Sequence, residues 1–278
     1  MLITFIGGGN MASALISGLA NPPRSDLGLR VVDPSAEARQ RLQATFGVEA
    51  FTDAVAAIDG ADVILLAVKP QTMPTVLRQL EGHVGRNQLL LSIAAGITIA
   101  SIQDVLGEDL AVVRSMPNTP ALIGHGITGM TAGPACSQRQ REQAERIMAA
   151  ASEVVWLEDE SLMDAVTAVS GTGPAYFFLM TEVLAATARE LGLSPDIADR
   201  LSAITCFGAG AMMATSPEEA RELRRRVTSP GGTTEAAMAV LEQGGFRALL
   251  AHAVTAAERR SRELSAPATG DRRNDDDG

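Results

Sequence analysis

The apolar positions of this chain follow two different rhythms. Up to about residue 160 short hydrophobic runs alternate with amphipathic stretches, and beyond Ser161 only helical spacing remains. The first run, Leu2, Ile3, Phe5 and Ile6, reads as a strand, breaks at Gly7-Gly8-Gly9 and passes into helical spacing at Met11, Leu15, Ile16 and Leu19. Leu29 to Val32 predicts a second strand ending at Asp33, with Pro34 and Ser35 opening a helix to Phe46. A short strand near Val48 to Phe51 and a small helix lead into the uninterrupted run after Asp62, whose composition is that of a strand buried on both faces of a parallel sheet. Gln88 to Ala94 gives another, followed by Ala95-Gly96 and a helix from Thr98 to Leu106. Strands at Leu110 to Arg114, Ile127 to Thr131 and Val154 to Leu157 and an amphipathic helix from Gln138 to Ala150 complete this half. Such alternation implies an α/β fold with a doubly wound sheet.

From Ser161 onward the prediction is all-helical. Ser161 and Asp164 have the spacing of a capping box, Pro174 opens a helix to Leu191, Ser194-Pro195 opens one to Thr215, and Ser216 with Glu219 caps one to about Val227. Ile197 to Ala214 is apolar on most faces, which is costly on the surface of a monomer and predicts a subunit interface. The expected organisation is an α/β domain over 1–160, a helical domain over 161–265, and a polar, compositionally disordered tail over 266–278.

Composition narrows the partners. With 46% hydrophobic residues among 278 the chain is globular, and a formal charge of −10 argues against nucleic acid, which wants a basic face. Cys136 and Cys206 lack C-x-x-C spacing and read as buried thiols in a reducing, cytoplasmic compartment. His83, His125 and His252 are scattered, so no metal site is expected. The N-terminal apolar stretch has no basic n-region and is interrupted by glycine and Asn10, so it is read as structure rather than as a signal peptide. The later uncharged runs fall short of a bilayer span, and a soluble chain without a membrane partner is expected.

Two glycine turns carry the candidate chemistry. Gly7, Gly9 and Ala12 fit the G-x-G-x-x-G/A spacing in which backbone N–H groups at a helix start receive a pyrophosphate, which makes the sheet Rossmann-type. Asp33 stands where an acidic side chain would meet the adenosine ribose, and equally where a helix cap precedes Pro34. Lys69, the only lysine, follows a buried strand directly; a solvated strand end and a place beside a cofactor both fit it. In the second turn Ser229, Pro230, Gly231 and Gly232 run into Thr233, Thr234 and a helix, so N–H groups and hydroxyls converge in a way that suits a small carboxylate. A purely structural turn with a threonine cap would look similar.

Six blocks in order resemble the pyrroline-5-carboxylate reductase family: FIGGGNMA near the start, AVKP at 67–70, SIAAGIT at 92–98, RSMPNTPALIGHG at 114–126, AVSGTGPAYFF at 168–178 and VTSPGGTTEA at 227–236. The resemblance covers nearly the whole chain to about residue 265. It implies reduction of Δ1-pyrroline-5-carboxylate to L-proline with NADPH or NADH, a Rossmann domain followed by an all-α dimerisation domain, and homodimers that assemble into a decamer of five dimers. It implies a substrate site at Ser229, Gly231, Gly232, Thr233 and Thr234, with Thr234 hydrogen-bonding the ring nitrogen as the catalytic residue and Glu160 near the substrate. On the cofactor it implies Ile6, Gly7, Gly8, Gly9, Asn10, Met11, Asp33, Ala67, Val68, Lys69, Pro70, Ala94, Ala95, Gly96 and Asn118.

Two positions depart from the family pattern. Asp33 replaces the small hydroxyl residue that in many relatives faces the 2′-phosphate, which leaves the preference between NADPH and NADH open, with Arg39 and Arg41 as candidates to compensate. Arg224-Arg225-Arg226 stands where relatives often read Lys-Asp-Asn/Gln; such a run fits a solvated face, and its place before the substrate turn would also let it raise the local potential for an anionic ligand. A β-hydroxyacid dehydrogenase is disfavoured because it needs a lysine in the helical region and none follows Lys69. A nucleotide sensor without catalysis would have no use for the second turn.

Overall fold

The computed structural model describes residues 1–21 and 26–265, so the tail expected over 266–278 lies outside the described residues. The chain divides into two compact units, one of Met1–Gly171 together with the last helix from Ala257 onward, the other of Thr172–Ala256.

The first unit begins with β1 (Leu2–Ile6), α1 (Asn10–Ala20), β2 (Gly28–Val32), α2 (Ala36–Phe46), β3 (Glu49–Phe51), α3 (Ala54–Ile58) and β4 (Val63–Leu66). It continues with α4 (Met73–Leu80), β5 (Leu89–Ser92), α5 (Ile99–Leu106), β6 (Ala111–Met116), β7 (Gly126–Ala132), α6 (Gln138–Met148), β8 (Ser152–Trp156) and the short α7 (Met163–Val166). The strands form one sheet in the order β3-β2-β1-β4-β5-β6-β7-β8, the doubly wound α/β sheet expected. Strand β4 shows why its sequence carries no polar position. Val63 and Leu65 enter the core on one face with Ile3, Phe5 and Leu15, while Ile64 and Leu66 enter the core on the other with Leu77 and Leu90.

Every pair in the sheet is parallel except β6 with β7. The reason is the connection: only a 3-10 turn, Thr119–Ile123, separates these strands, and it closes on Gly124 at φ +74. Without a crossover helix the chain can only return antiparallel. The regular alternation of strands and helices therefore has one interruption, and it falls inside the RSMPNTPALIGHG block.

Residues 161–171 and the end of the last helix, α12 (Phe246–Ser265), belong with the sheet. Asp159, not Ser161, caps the turn Glu160–Leu162, accepting from the Ser161 N–H. Asp164 is thereby free to accept from Ser261 Oγ at 2.7 Å on α12. A π-helical turn, Thr167–Gly171, then leads out of the unit; Thr167 and Ser170 hydroxyls bond back to the Met163 and Val166 carbonyls.

The second unit holds α8 (Gly173–Glu190), α9 (Pro195–Thr215), α10 (Ala220–Arg226), α11 (Thr233–Gln243) and the first part of α12. Pro174 lies in the first turn of α8, where its missing N–H costs nothing. On α8 and α9 only Gly173, Ala185, Ala198 and Ser202 are buried. Phe178, Leu179, Leu184, Leu201, Ile204 and Phe207 are each more than half exposed. No helix among the described residues is long and apolar enough to cross a membrane.

Candidate cofactor and substrate site

The residues expected at the cofactor gather at the carboxyl ends of adjacent parallel strands. Ile6 ends β1, Asp33 follows β2, Ala67 to Pro70 follow β4, and Ala94 to Gly96 follow β5. Strand order reverses between β1 and β4, which is where open α/β sheets bind ligands.

Each glycine of the first turn has its own reason. Gly7 adopts φ +106, and a Cβ there would sit 2.6 Å from the Ala67 carbonyl oxygen, so the β1 and β4 ends approach only because it is glycine. A Cβ at Gly8 would meet Leu42 Cδ1 at 2.9 Å. At Gly9 a Cβ would meet nothing within 4 Å, so the protein's own packing does not require glycine there. The space beside Gly9 suits the close approach of a ligand. Gly9 is also the N-cap of α1, with no side chain capping the helix. Open N–H donors beside vacant space fit a dinucleotide pyrophosphate.

Asp33 binds the turn directly. Its Oδ2 accepts from the Gly8 N–H at 2.8 Å and its Oδ1 from the Ser35 N–H at 2.8 Å. The N-cap of α2 is Ser35, whose hydroxyl accepts from Ala38 N, so the reading of Asp33 as the cap is corrected. Both arginines of α2 reach the same place. Arg39 Nη1 donates to the Asp33 and Pro34 carbonyls at 2.6 and 3.1 Å, and Arg41 Nη2 lies 3.4 Å from the Gly8 carbonyl. Lys69 is exposed and heads the turn Pro70–Thr72. The hydroxyl of Ser13, one turn into α1, is buried without a partner, a polar group that nothing in the sequence singled out.

Two predicted site residues have structural partners. Asn118 donates through Nδ2 to the Ser170 carbonyl at 3.2 Å and accepts through Oδ1 from the Ile127 N–H at 2.9 Å. It therefore ties the 3-10 turn to β7 and to the π turn. Glu160 Oε1 accepts from the Ile99 N–H and from Arg114 Nη1, each at 2.9 Å. Arg114 is 4% exposed and Glu160 28%, so this is a largely desolvated ion pair that also caps α5.

In the second unit, the turn from Ser229 reaches α11 through Gly231 at φ +70, with Gly232 donating to the Ser229 carbonyl at 3.0 Å. Gly232 is the N-cap of α11, again without a side-chain cap. Ser229, Gly231 and Thr233 are exposed and Thr234 half-buried. One donor is already taken: the Gly231 N–H meets Glu235 Oε2 at 2.7 Å, leaving the helix start itself to an outside anion.

The arginine run before this turn is neutralised locally, which corrects the expected rise in potential. Arg224 pairs with Glu242 at 3.2 Å, Arg225 with Glu222 at 2.6 Å, and Arg226 with Glu218. The hydrogen bond from Arg225 is the main reason that the Glu222 carboxyl is pulled down to about 2. Among the described residues no group of three or more metal-ligating side chains occurs.

Comparison with known proteins agrees with this geometry. Residues 160–264 match the family model for pyrroline-5-carboxylate reductase dimerisation, and residues 2–96 match the NADP oxidoreductase, coenzyme F420-dependent, family. A pyrroline-5-carboxylate reductase of Pseudomonas aeruginosa is 46% identical over 95% of this chain and 96% of its own length. The chain belongs to the pyrroline-5-carboxylate reductase family. A pyrroline-5-carboxylate reductase from Coxiella burnetii superposes with a TM-score of 0.90 at 38% identity, over 95% of this chain and 98% of that one. The Plasmodium falciparum pyrroline carboxylate reductase, solved with NADP bound, gives a TM-score of 0.84 at 28% identity, over 96% and 98%. As a pyrroline-5-carboxylate reductase the chain is an NAD(P)H-dependent oxidoreductase whose helical unit is a dimerisation domain, which accounts for the exposed apolar faces of α8 and α9.

Proposed function

We propose that the chain reduces Δ1-pyrroline-5-carboxylate to L-proline, the last step of proline biosynthesis, with the dinucleotide on the Gly7 to Met11 turn and the substrate carboxylate on the Ser229 to Thr234 turn. The observation that carries this reading is that both turns open helices whose N-termini no side chain caps. Each presents unpaired N–H groups, one to a pyrophosphate and one to a carboxylate. Residues 1–160 serve the cofactor, and residues 161–265 serve the substrate and dimer formation.

Ile6 to Met11, Ala67 to Pro70, Ala94 to Gly96 and Asp33 are the cofactor contacts in this reading, with Asn118 holding the surrounding loops. When bound, the reduced nicotinamide supplies the hydride that adds to C5 of the imine. The chain's own contribution is positioning. Ser229, Gly231, Gly232 and Thr233 enclose the carboxylate, and the Thr234 hydroxyl hydrogen-bonds the ring nitrogen. A threonine hydroxyl is too weak an acid to be the source of the proton, which arrives with the substrate's iminium or from water and is held at the ring nitrogen by Thr234. Glu160 acts at the substrate's edge through the oxygen that Ile99 and Arg114 leave free.

The working form is a homodimer through the helical domain, with five dimers forming a decamer, and the only partner besides other copies of the chain is a small molecule. The cytoplasm suits two free cysteines, of which Cys136 has its thiol pushed up by burial and stays unreactive. The acidic surface charge disfavours nucleic acid. The test is direct: purified protein with pyrroline-5-carboxylate oxidises NADPH or NADH, and no turnover with either overturns the reading. Thr234→Ala is expected to lower kcat by about 10- to 100-fold while cofactor affinity changes less than threefold. A fall in cofactor affinity instead would remove Thr234 from the substrate.

A further inference from the structure

The cofactor turn contains a contradiction in charge. A carboxylate at the end of β2 repels a 2′-phosphate, and Asp33 is such a carboxylate. Yet both of its oxygens already accept backbone hydrogen bonds, Oδ2 from Gly8 and Oδ1 from Ser35, so part of its negative charge is balanced by N–H groups of the protein's own turn. Around it stand two guanidinium groups. Arg39 is held over the bend between β2 and α2 by the carbonyls of Asp33 and Pro34, and Arg41 reaches the carbonyl of Gly8.

Resting on the reading of the glycine turn as the cofactor site, we infer that Arg39 and Arg41 bind the 2′-phosphate, so that the chain selects NADPH over NADH in spite of Asp33. Each arginine engages the main chain through a single nitrogen, Nη1 of Arg39 and Nη2 of Arg41. Every guanidinium carries five N–H donors, so most of each fork is left for a ligand. Neither has an acidic partner among the described residues, in contrast to Arg224, Arg225 and Arg226, whose charges are matched by glutamates. Two cations against one internally bonded carboxylate leave the rim with positive charge, and a phosphate monoester, near −2 at neutral pH, gains charge-assisted and bidentate hydrogen bonds there. The free ribose hydroxyl of NADH offers the two guanidinium groups no charge, and gains at most a hydrogen bond to the lone pairs that Asp33 has left.

The experiment is isothermal titration of the full-length oligomer with two fragments, adenosine 2′,5′-bisphosphate and adenosine 5′-monophosphate, which need neither substrate nor turnover. The wild type is expected to bind the bisphosphate at least about tenfold more tightly than the monophosphate, with the gap narrowing as salt rises. Arg39→Ala and Arg41→Ala should each weaken the bisphosphate about tenfold and leave the monophosphate within twofold. Arg39→Lys, which keeps the charge and loses the fork, should fall between. Equal affinity for both fragments in the wild type overturns the inference, as does an equal loss of both in the arginine variants. Binding of neither fragment overturns the cofactor reading of the glycine turn as well, and that result is distinct from the other two.

Discussion

The sheet unit and the helical unit solve the same problem in opposite ways. In the first, Phe5, Leu15, Leu65, Leu89 and Met148 are fully buried, and each strand of the centre is covered on both faces by its own chain. In the second, Phe178, Ile204 and Phe207 are exposed, and nothing is buried on α10 or α11. The lesson extends to the two glycine turns. Gly7 is fixed by contacts within its own unit, from the Ala67 carbonyl on one side to the Asp33 and Gly8 pairing on the other. The turn at Gly231 is held locally, by Glu235 of the helix it opens and by the bond from the Gly232 N–H to the Ser229 carbonyl. The first turn is braced by a core that its own unit completes, while the second lies in the unit whose apolar faces stay exposed.

Four measurements would break or sharpen that contrast. Phe178→Asp introduces a charge into the dimerisation helix and should weaken association by about a thousandfold, on the order of 4 kcal/mol. Light scattering reporting an unchanged mass would refute the assignment of that face. Gly7→Ala forces a Cβ against the Ala67 oxygen at positive φ and should cost roughly 3 kcal/mol, about 6 to 12 °C of thermal midpoint, together with cofactor binding. Unchanged melting and affinity would mean that the turn relaxes freely. Glu160→Ala strips the buried Arg114 of its partner, and because Glu160 is partly exposed we expect about 2 kcal/mol. Loss of turnover without loss of stability would instead assign Glu160 wholly to the substrate.

The smallest effect concerns Glu222, which Arg225 holds below its ordinary value of 4.5, at about 2. A depressed folded value stabilises the native state above the unfolded value, and that contribution is lost as pH falls from 4.5 toward 2. The pair is solvent-exposed, so the gain is small. Melts of Glu222→Gln against wild type should show a slight deficit at neutral pH that closes through this window.

The sheet was legible because burial on both faces leaves a strand such as Val63–Leu66 no polar position, and the glycine turn because its spacing is set by backbone geometry. The antiparallel return of β7 was not legible, since a short 3-10 turn and a longer loop look alike in sequence. Asp33 was placed correctly at the end of β2, yet its bond to Gly8 joins residues that no local pattern relates. Likewise the partners of Arg224, Arg225 and Arg226 include Glu242, which comes into reach only when α10 and α11 fold back on each other. The Asn118 and Glu160 contacts belong to the same class: residues chosen by similarity whose side chains are set by long-range pairing.

The hydroxyl of Ser261 on Asp164 orders events in time. During synthesis the sheet unit cannot receive its last helical turns until the ribosome has passed through all of α8 to α11. The association helices are therefore present before the sheet unit is finished. The last turns of the chain thus complete the unit that its first residues begin, and a chain cut short after the fourth helix of the second unit would lack that latch.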